Sequence, residues 1–181
     1  MKAISLWQPW ATLCAIGAKT FETRGWSTTY RGPLLIHAAQ RNPCDHRDTH
    51  ALLYRTPFYD ALQPIQWRLP LGAIVGIVDL VECFRVTQNV NDPTPYLYSL
   101  DGDCRDTHFG EDDEPLPGLP EIAFGDFSVG RYAWKLENPR HFAQEIPCRG
   151  RQKIFNVSPE VAALARAIIR AMPAPLAAKS E

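Results

Sequence analysis

The sequence predicts an α+β fold, a small β-barrel or strongly curved sheet flanked by helices. Three observations carry this. Short runs alternate with period two, among them "TFETR" at 20–24, "LLIHA" at 34–38 and "YAWKL" at 132–136. Glycines punctuate or follow these runs, as in "GAIVGIVDLVECF" at 72–84, where they let a sheet bend or another backbone come close. The stretch "SPEVAALARAIIRAM" changes to a helical period behind a serine cap.

From the amino terminus, Pro9 has the fixed φ and missing N–H that suit a first helical position, and Trp10, Leu13 and Cys14 then share a face. Gly17 follows as a left-handed cap, which makes a helix of about two turns over Pro9 to Ile16. The pattern then becomes a strand with Thr20, Glu22 and Arg24 on one face and Phe21 and Thr23 on the other. Lys19 stands an odd number of residues from Glu22, so it joins that face only by belonging to the turn after the helix. "RGPLLIHAA" turns at Gly32 and Pro33 into a second strand, and "GRYAWKLE" (130–137) and "QKIFNV" (152–157) supply later ones. Residues 42–70 and 86–121 read as long loops with at most a short helix around "HALLYRTPFYDAL". In the last helix Ser158 caps, Pro159 opens, Glu160 suits the dipole, and Val161, Leu164, Ala165, Ile168 and Met172 form the apolar stripe.

These elements organise as a domain over 1–157 with a loop-rich acidic insert at about 86–121, a C-terminal helix at 158–173 packed on it, and a frayed tail at 174–181. No apolar run is long enough to cross a bilayer, and "MKAISLWQPW" lacks the features of a secretory signal, so the expected setting is cytoplasmic with no membrane partner. Five cysteines at scattered spacings argue against a disulfide framework. The net charge of −1 conceals an asymmetry. Residues 1–41 set five cations against Glu22 for a net +4, residues 101–126 carry −8, and residues 127–181 carry +5. The acidic run reads as a solvated loop.

Chemistry-bearing motifs are few. "RDTH" occurs at 47–50 and at 105–108, each copy closely after a cysteine, which raises zinc for Cys44, His46, His50, Cys104 and His108. Neither C-x-x-C nor a paired Cys/His knuckle is present, and the reading is no metal and no cofactor. Nucleophile-elbow, phosphate-loop, zincin and dinucleotide motifs are absent.

What remains is the opening stretch, "SLWQPWATLCAIGAKTFETRGW" followed by "YRGPLLIHAA". It resembles the ASCH domain, a branch of the PUA-like folds with the motif G-x-K-x-x-E-x-R, and Gly17, Lys19, Glu22 and Arg24 fit every position. The resemblance extends more loosely to "GAIVGIVDLVEC", "FGDFSVGRYAWKLENPRHF" and "IPCRGRQKIFNV", and so covers most of 3–157. It implies a PUA-like barrel or curved sheet with a cleft facing a ligand, and binding of RNA or a nucleotide-like ligand.

The residue chemistry agrees. Lys and Arg neutralise phosphate, an aromatic face stacks a base, and a carboxylate accepts from an exocyclic amine while holding its cationic neighbours. The ligand-binding set is Trp7, Gln8, Lys19, Glu22, Arg24, Trp26, Arg31 and His37. Trp10 and Phe21 read as core, and His37 within an apolar strand also fits a core histidine.

Two alternatives stay open. Some proteins similar to this family are amidohydrolases that deacylate N-acetylated cytidine with a lysine, a threonine and a glutamate, and Lys19 matches that lysine. The threonine belongs two residues before the motif arginine, where this chain has Glu22. A different hydrolytic scheme on RNA or a nucleobase amide would use Lys19 as base with Glu22 or His37 as acid. The other alternative is a protein-interaction domain of a transcription or translation complex, with the acidic segment 101–121 as its feature.

Overall fold

The computed structural model of the chain describes residues 1–88, 94–100 and 114–173. In chain order the elements are β1 (Lys2–Leu6), α1 (Trp10–Ile16), β2 (Phe21–Arg24), β3 (Gly32–Ala38), α2 (Arg47–Leu53), α3 (Phe58–Leu62), β4 (Ala73–Gln88), β5 (Pro95–Ser99), β6 (Glu114–Pro115), β7 (Tyr132–Pro147), β8 (Ile154–Asn156) and α4 (Pro159–Ala171). They form two compact units, one of Met1–Ala18, Pro33–Asp79 and Asn138–Glu181, the other of Lys19–Gly32 and Leu80–Glu137. The 16-residue strands β4 and β7 each contribute to both.

In the first unit the strand order is β7-β4-β3-β1-β8. β1 runs parallel to β3, with Ser5 opposite His37, and antiparallel to β8. Ala3, Leu35, Ile74, Ile77, Phe142, Ile146 and Phe155 bury one another, and α4 closes over them with Ala165, flanked by Val161, Ile168, Ile169 and Met172. Ser158 Oγ accepts from Val161 N at 3.3 Å, the cap expected from the sequence. Leu164 departs from the expected stripe and is exposed. At ~100° per residue it falls ~60° to one side of Val161, while Ala162 and Ile169 extend the buried arc on the other side. Gly17 caps α1 at φ 80°, and its N–H donates to Cys14 O. Gly76 marks a close approach, since a Cβ there would stand 2.7 Å from Arg140 O and 2.8 Å from the Ala15 methyl.

In the second unit the order is β2-β7-β4-β5-β6. β2 lies antiparallel to β7, pairing Glu22 with Trp134 and Arg24 with Tyr132. Phe21, Phe84, Val86, Leu97, Phe127 and Ala133 form its core, so Phe21 turns inward as its place in the alternation requires.

Neither path returns on itself among the described residues, so the sheet is not a closed barrel. Closure requires terminal strands to pair, and β2 pairs β7 alone while β8 pairs β1 alone. The α+β class stands in its open, curved-sheet form. β1 and β5 were not foreseen, and β4 and β7 run on past their expected ends at 84 and 137. The short helix expected near 50–62 is two, α2 and α3. No helix among the described residues is long and apolar enough to cross a membrane. Most of the acidic run, 101–113, and the tail 174–181 lie outside the described residues.

Candidate functional site

The Gly17 cap ends α1 as the last turn before the second unit, and the chain then enters β2 through an irregular stretch that carries Lys19. Because Lys19 precedes the strand, its odd spacing does not send it away from Glu22. Its ammonium donates to Phe21 O and stands 3.7 Å from Glu22 Oε2. Arg24 Nε lies 3.0 Å from Glu22 Oε1. One carboxylate therefore holds two cations, and the three motif side chains form a single cluster.

Burial separates their roles. Lys19 is 1% exposed and Glu22 8%, whereas 26% of the Arg24 side chain reaches solvent. A buried cation needs both a counter-charge and hydrogen bonds, and Lys19 has both. Trp134, opposite Glu22, is fully buried, and its indole N–H has no partner. The half-buried Trp26 stands edge-on to it, ring centroids 4.6 Å apart. Arg31 donates through Nη1 to Thr28 O and Tyr30 O at 2.9 Å, which shapes the loop after β2.

The residue that sequence reasoning missed is Glu121. Placed with the acids of a solvated loop, it is instead buried. It accepts from Thr20 N at 2.7 Å, Thr20 Oγ1 at 2.9 Å and Phe21 N at 3.0 Å. It therefore ties down the start of β2, directly beside Lys19 and Glu22 in the chain. These bonds span about a hundred residues, and no local pattern marks them.

Three predicted residues lie in the first unit. Trp7 is 53% exposed, with the Arg41 guanidinium 4.1 Å above its ring. Gln8 is buried: its Nε2 donates to Thr12 Oγ1 and Pro70 O, and its Oε1 accepts from Thr12 N. That amide organises the start of α1. His37 is 2% exposed, with Nε2 2.9 Å from Cys148 O, while Nδ1 is buried without a partner. A carbonyl only accepts, so the proton sits on Nε2 and Nδ1 presents a lone pair. Burial, partly offset by the Cys148 bond, holds the His37 pKa below its usual value and the ring neutral at pH 7.

Beside His37 a cleft of about 320 Å³ is lined by Ser5, Gln40, Cys148, Arg149, Gly150 and Arg151, among others. Its only sequence signal was "CRGR", two arginines about a glycine. A second surface not foreseen gathers exposed Tyr54 and Tyr59 around Trp67, with Tyr54 stacked on Trp67 at 6.3 Å and Tyr59 tilted against it at 4.9 Å between ring centroids.

Of the residues considered for zinc, Cys104 and His108 lie outside the described residues. Among the described residues no three His, Cys, Asp or Glu side chains come together as a metal site.

Comparison with known proteins bears on the same stretch. The family model of the ASCH domain matches residues 4–101, more than half of the chain and all of Trp7 to His37. Activating signal cointegrator 1 of Mus musculus is 34% identical over 163 residues, which cover 87% of this chain and 22% of that protein. The Homo sapiens protein of the same name is 27% identical over 151 residues, covering 76% of this chain and 22% of its own length. The chain thus spans about a fifth of the length of these curated relatives.

Proposed function

The chain belongs to the ASCH domain family, and from that premise we propose that it is a nucleic-acid binding module whose contact centre is the Lys19–Glu22–Arg24 cluster. The observation that carries this is the two-cation, one-carboxylate arrangement, net positive, with Arg24 reaching solvent. In this reading Glu22 and Lys19 set the position of Arg24, Arg24 and Arg31 meet phosphate, and Trp26 offers an aromatic face beside them. The exposed Trp7 with Arg41 is a further stacking surface of the first unit. The bound strand is RNA, in line with the resemblance drawn from the motif.

Hydrolysis receives less support. Lys19 already donates to Phe21 O and faces Glu22, and Glu22 occupies the place of the amidohydrolase threonine. A second reading, a protein-interaction module, is favoured by the relatives' name, signal cointegrator, and by the exposed Tyr54–Tyr59–Trp67 surface.

Fluorescence anisotropy with RNA oligomers at low salt, run beside a turnover assay on N-acylated nucleosides, tests the first reading. Saturable RNA binding without turnover is expected. Deacylation by the parent protein, or no RNA binding at any salt concentration, contradicts it.

A further inference from the structure

The cationic cluster is one end of a longer row. Within the second unit the strands alternate about the core that Phe21, Phe84, Val86, Leu97 and Ala133 form. Glu22, Arg24, Tyr132, Arg85 and Tyr98 lie between those positions and so share the opposite face of the sheet. Register aligns four of them. Arg24 is opposite Tyr132, and Arg85 is opposite Tyr98. Val86 N donates to Arg131 O and Val86 O accepts from Gly130 N, both at 2.8 Å, which sets Tyr132 beside Arg85. Arg24, Tyr132, Arg85 and Tyr98 thus follow one another across β2, β7, β4 and β5, a row of about 14 Å at the usual spacing between strands. Exposure changes along the strands. One level away from the row Trp134 and Cys83 are fully buried, and Trp26 stands edge-on to Trp134. In the row itself Arg85 is exposed, and Arg24, Tyr132 and Tyr98 are half-buried. The face is closed at Trp134 and opens at the row. Among the described residues of these four strands within the unit, Glu22 is the one acid on this face, and Lys19 and Arg24 already meet its charge.

Cations and aromatic rings in alternation match a polymer in which phosphates and bases alternate, provided the bases are free to leave one another. A duplex keeps its bases paired and stacked, and would offer this row phosphates alone. Partial burial holds each tyrosine ring in place, so little side-chain freedom is lost when a base stacks on it. We propose that the row is the track of a single strand, which crosses the sheet from β2 to β5 with phosphates on Arg24 and Arg85 and bases stacked on Tyr132 and Tyr98. The track rests on the nucleic-acid reading above and adds to it a strand class, a direction across the sheet and three contact residues outside the motif.

The test titrates the full chain with three labelled probes of one length: a single-stranded RNA, the same sequence as a duplex, and a single strand in which abasic sites replace the central nucleotides. The intact single strand should bind about tenfold more tightly than the abasic strand, which keeps every phosphate, and more tightly than the duplex. Because that comparison alters only the probe, it does not depend on how any variant folds. Arg85→Ala, at an exposed position, should weaken single-strand binding about three- to tenfold and make its salt dependence shallower by roughly one contact. Tyr98→Ala should weaken it about tenfold, while Tyr98→Phe keeps the ring and binds as the parent does. Arg166→Ala, exposed on α4, should leave binding unchanged. Equal affinity for the intact and abasic strands, duplex binding as tight as that of the single strand, or undiminished binding by Arg85→Ala overturns the track. If RNA binding then still depends on Arg24, the track alone has failed. A parent chain that binds no RNA at all removes the nucleic-acid reading and the track together.

Discussion

Glu22 is the residue on which the cationic cluster turns, because two positive side chains approach the same carboxylate and one of them is buried. Replacing it with glutamine keeps size and some hydrogen bonding but leaves Lys19 without its counter-charge. Removing one partner of a buried pair costs ~3 kcal/mol, somewhat less where the other cation reaches water. Glu22→Gln should therefore lower stability in urea unfolding by about 2 kcal/mol. Its affinity for RNA should be equal or slightly higher, since a charge that repels phosphate has gone. Unchanged stability would mean that the carboxylate does not hold Lys19, and a lost affinity would mean that the charge of Glu22 is needed at the site, to hold Arg24 or to meet the ligand. The cluster was legible in the sequence, because alternation places Glu22 and Arg24 together and a turn position releases Lys19 from that alternation. Gln8 was legible only as a polar residue, and its commitment to Thr12 and Pro70 is a tertiary fact.

At the scale of elements, β2 is four residues long and relies on neighbours for its place. The Glu121 carboxylate receives three donors at its start, two of them backbone N–H groups. Glu121→Ala leaves the Phe21 N–H buried without an acceptor and returns the Thr20 donors to water, and a loss of about 1–3 kcal/mol is expected in urea unfolding. A loss below about 0.5 kcal/mol, the range of ordinary surface changes, would show that water replaces the carboxylate at no cost. The Gly17 cap makes a parallel demand. Gly17→Ala meets both a positive φ and a Cβ 2.6 Å from Pro139 Cγ. The backbone term alone is about 1–2 kcal/mol, so a destabilisation of about 2 kcal/mol or more should appear in the same assay, and a neutral result would contradict the cap. The cap and the period of β2 could be read from adjacent residues. Glu121 could not, since its donors lie about a hundred positions away. Composition pointed the wrong way, because its acidic neighbours suggested a solvated loop. β1 escaped for a related reason. "KAISL" is five residues of mixed character, and its identity as a strand comes from pairing with β3 and β8.

Across the whole molecule, two histidines set a pH dependence. Burial is the main cause of the lowered pKa of both His37 and His141, with Arg68 acting further on His141. A histidine whose folded pKa is depressed contributes stability above its unfolded pKa of about 6.5, and that contribution is lost as pH falls through the folded pKa. Urea unfolding should show a stability plateau above that pH and a decline as pH falls below about 6.5. The depressed carboxyls of Asp126 and Glu160 act at lower pH. His37→Gln, which keeps a donor for Cys148 O, should flatten the decline, and an unchanged slope would remove His37 as a contributor.

The charge asymmetry read from the sequence is also a property of the whole chain, and it leads to the central claim that the cationic cluster binds a polyanion. Affinity for an RNA oligomer, followed as salt is raised, reports how many cations displace counterions, with log K falling by roughly 0.7 per phosphate contact on a single strand. The most direct measurement compares that slope for the parent chain and for Arg24→Ala. The account predicts an affinity lower by about three- to tenfold at low salt and a slope shallower by roughly one contact. Identical slopes and affinities for the two proteins would contradict it.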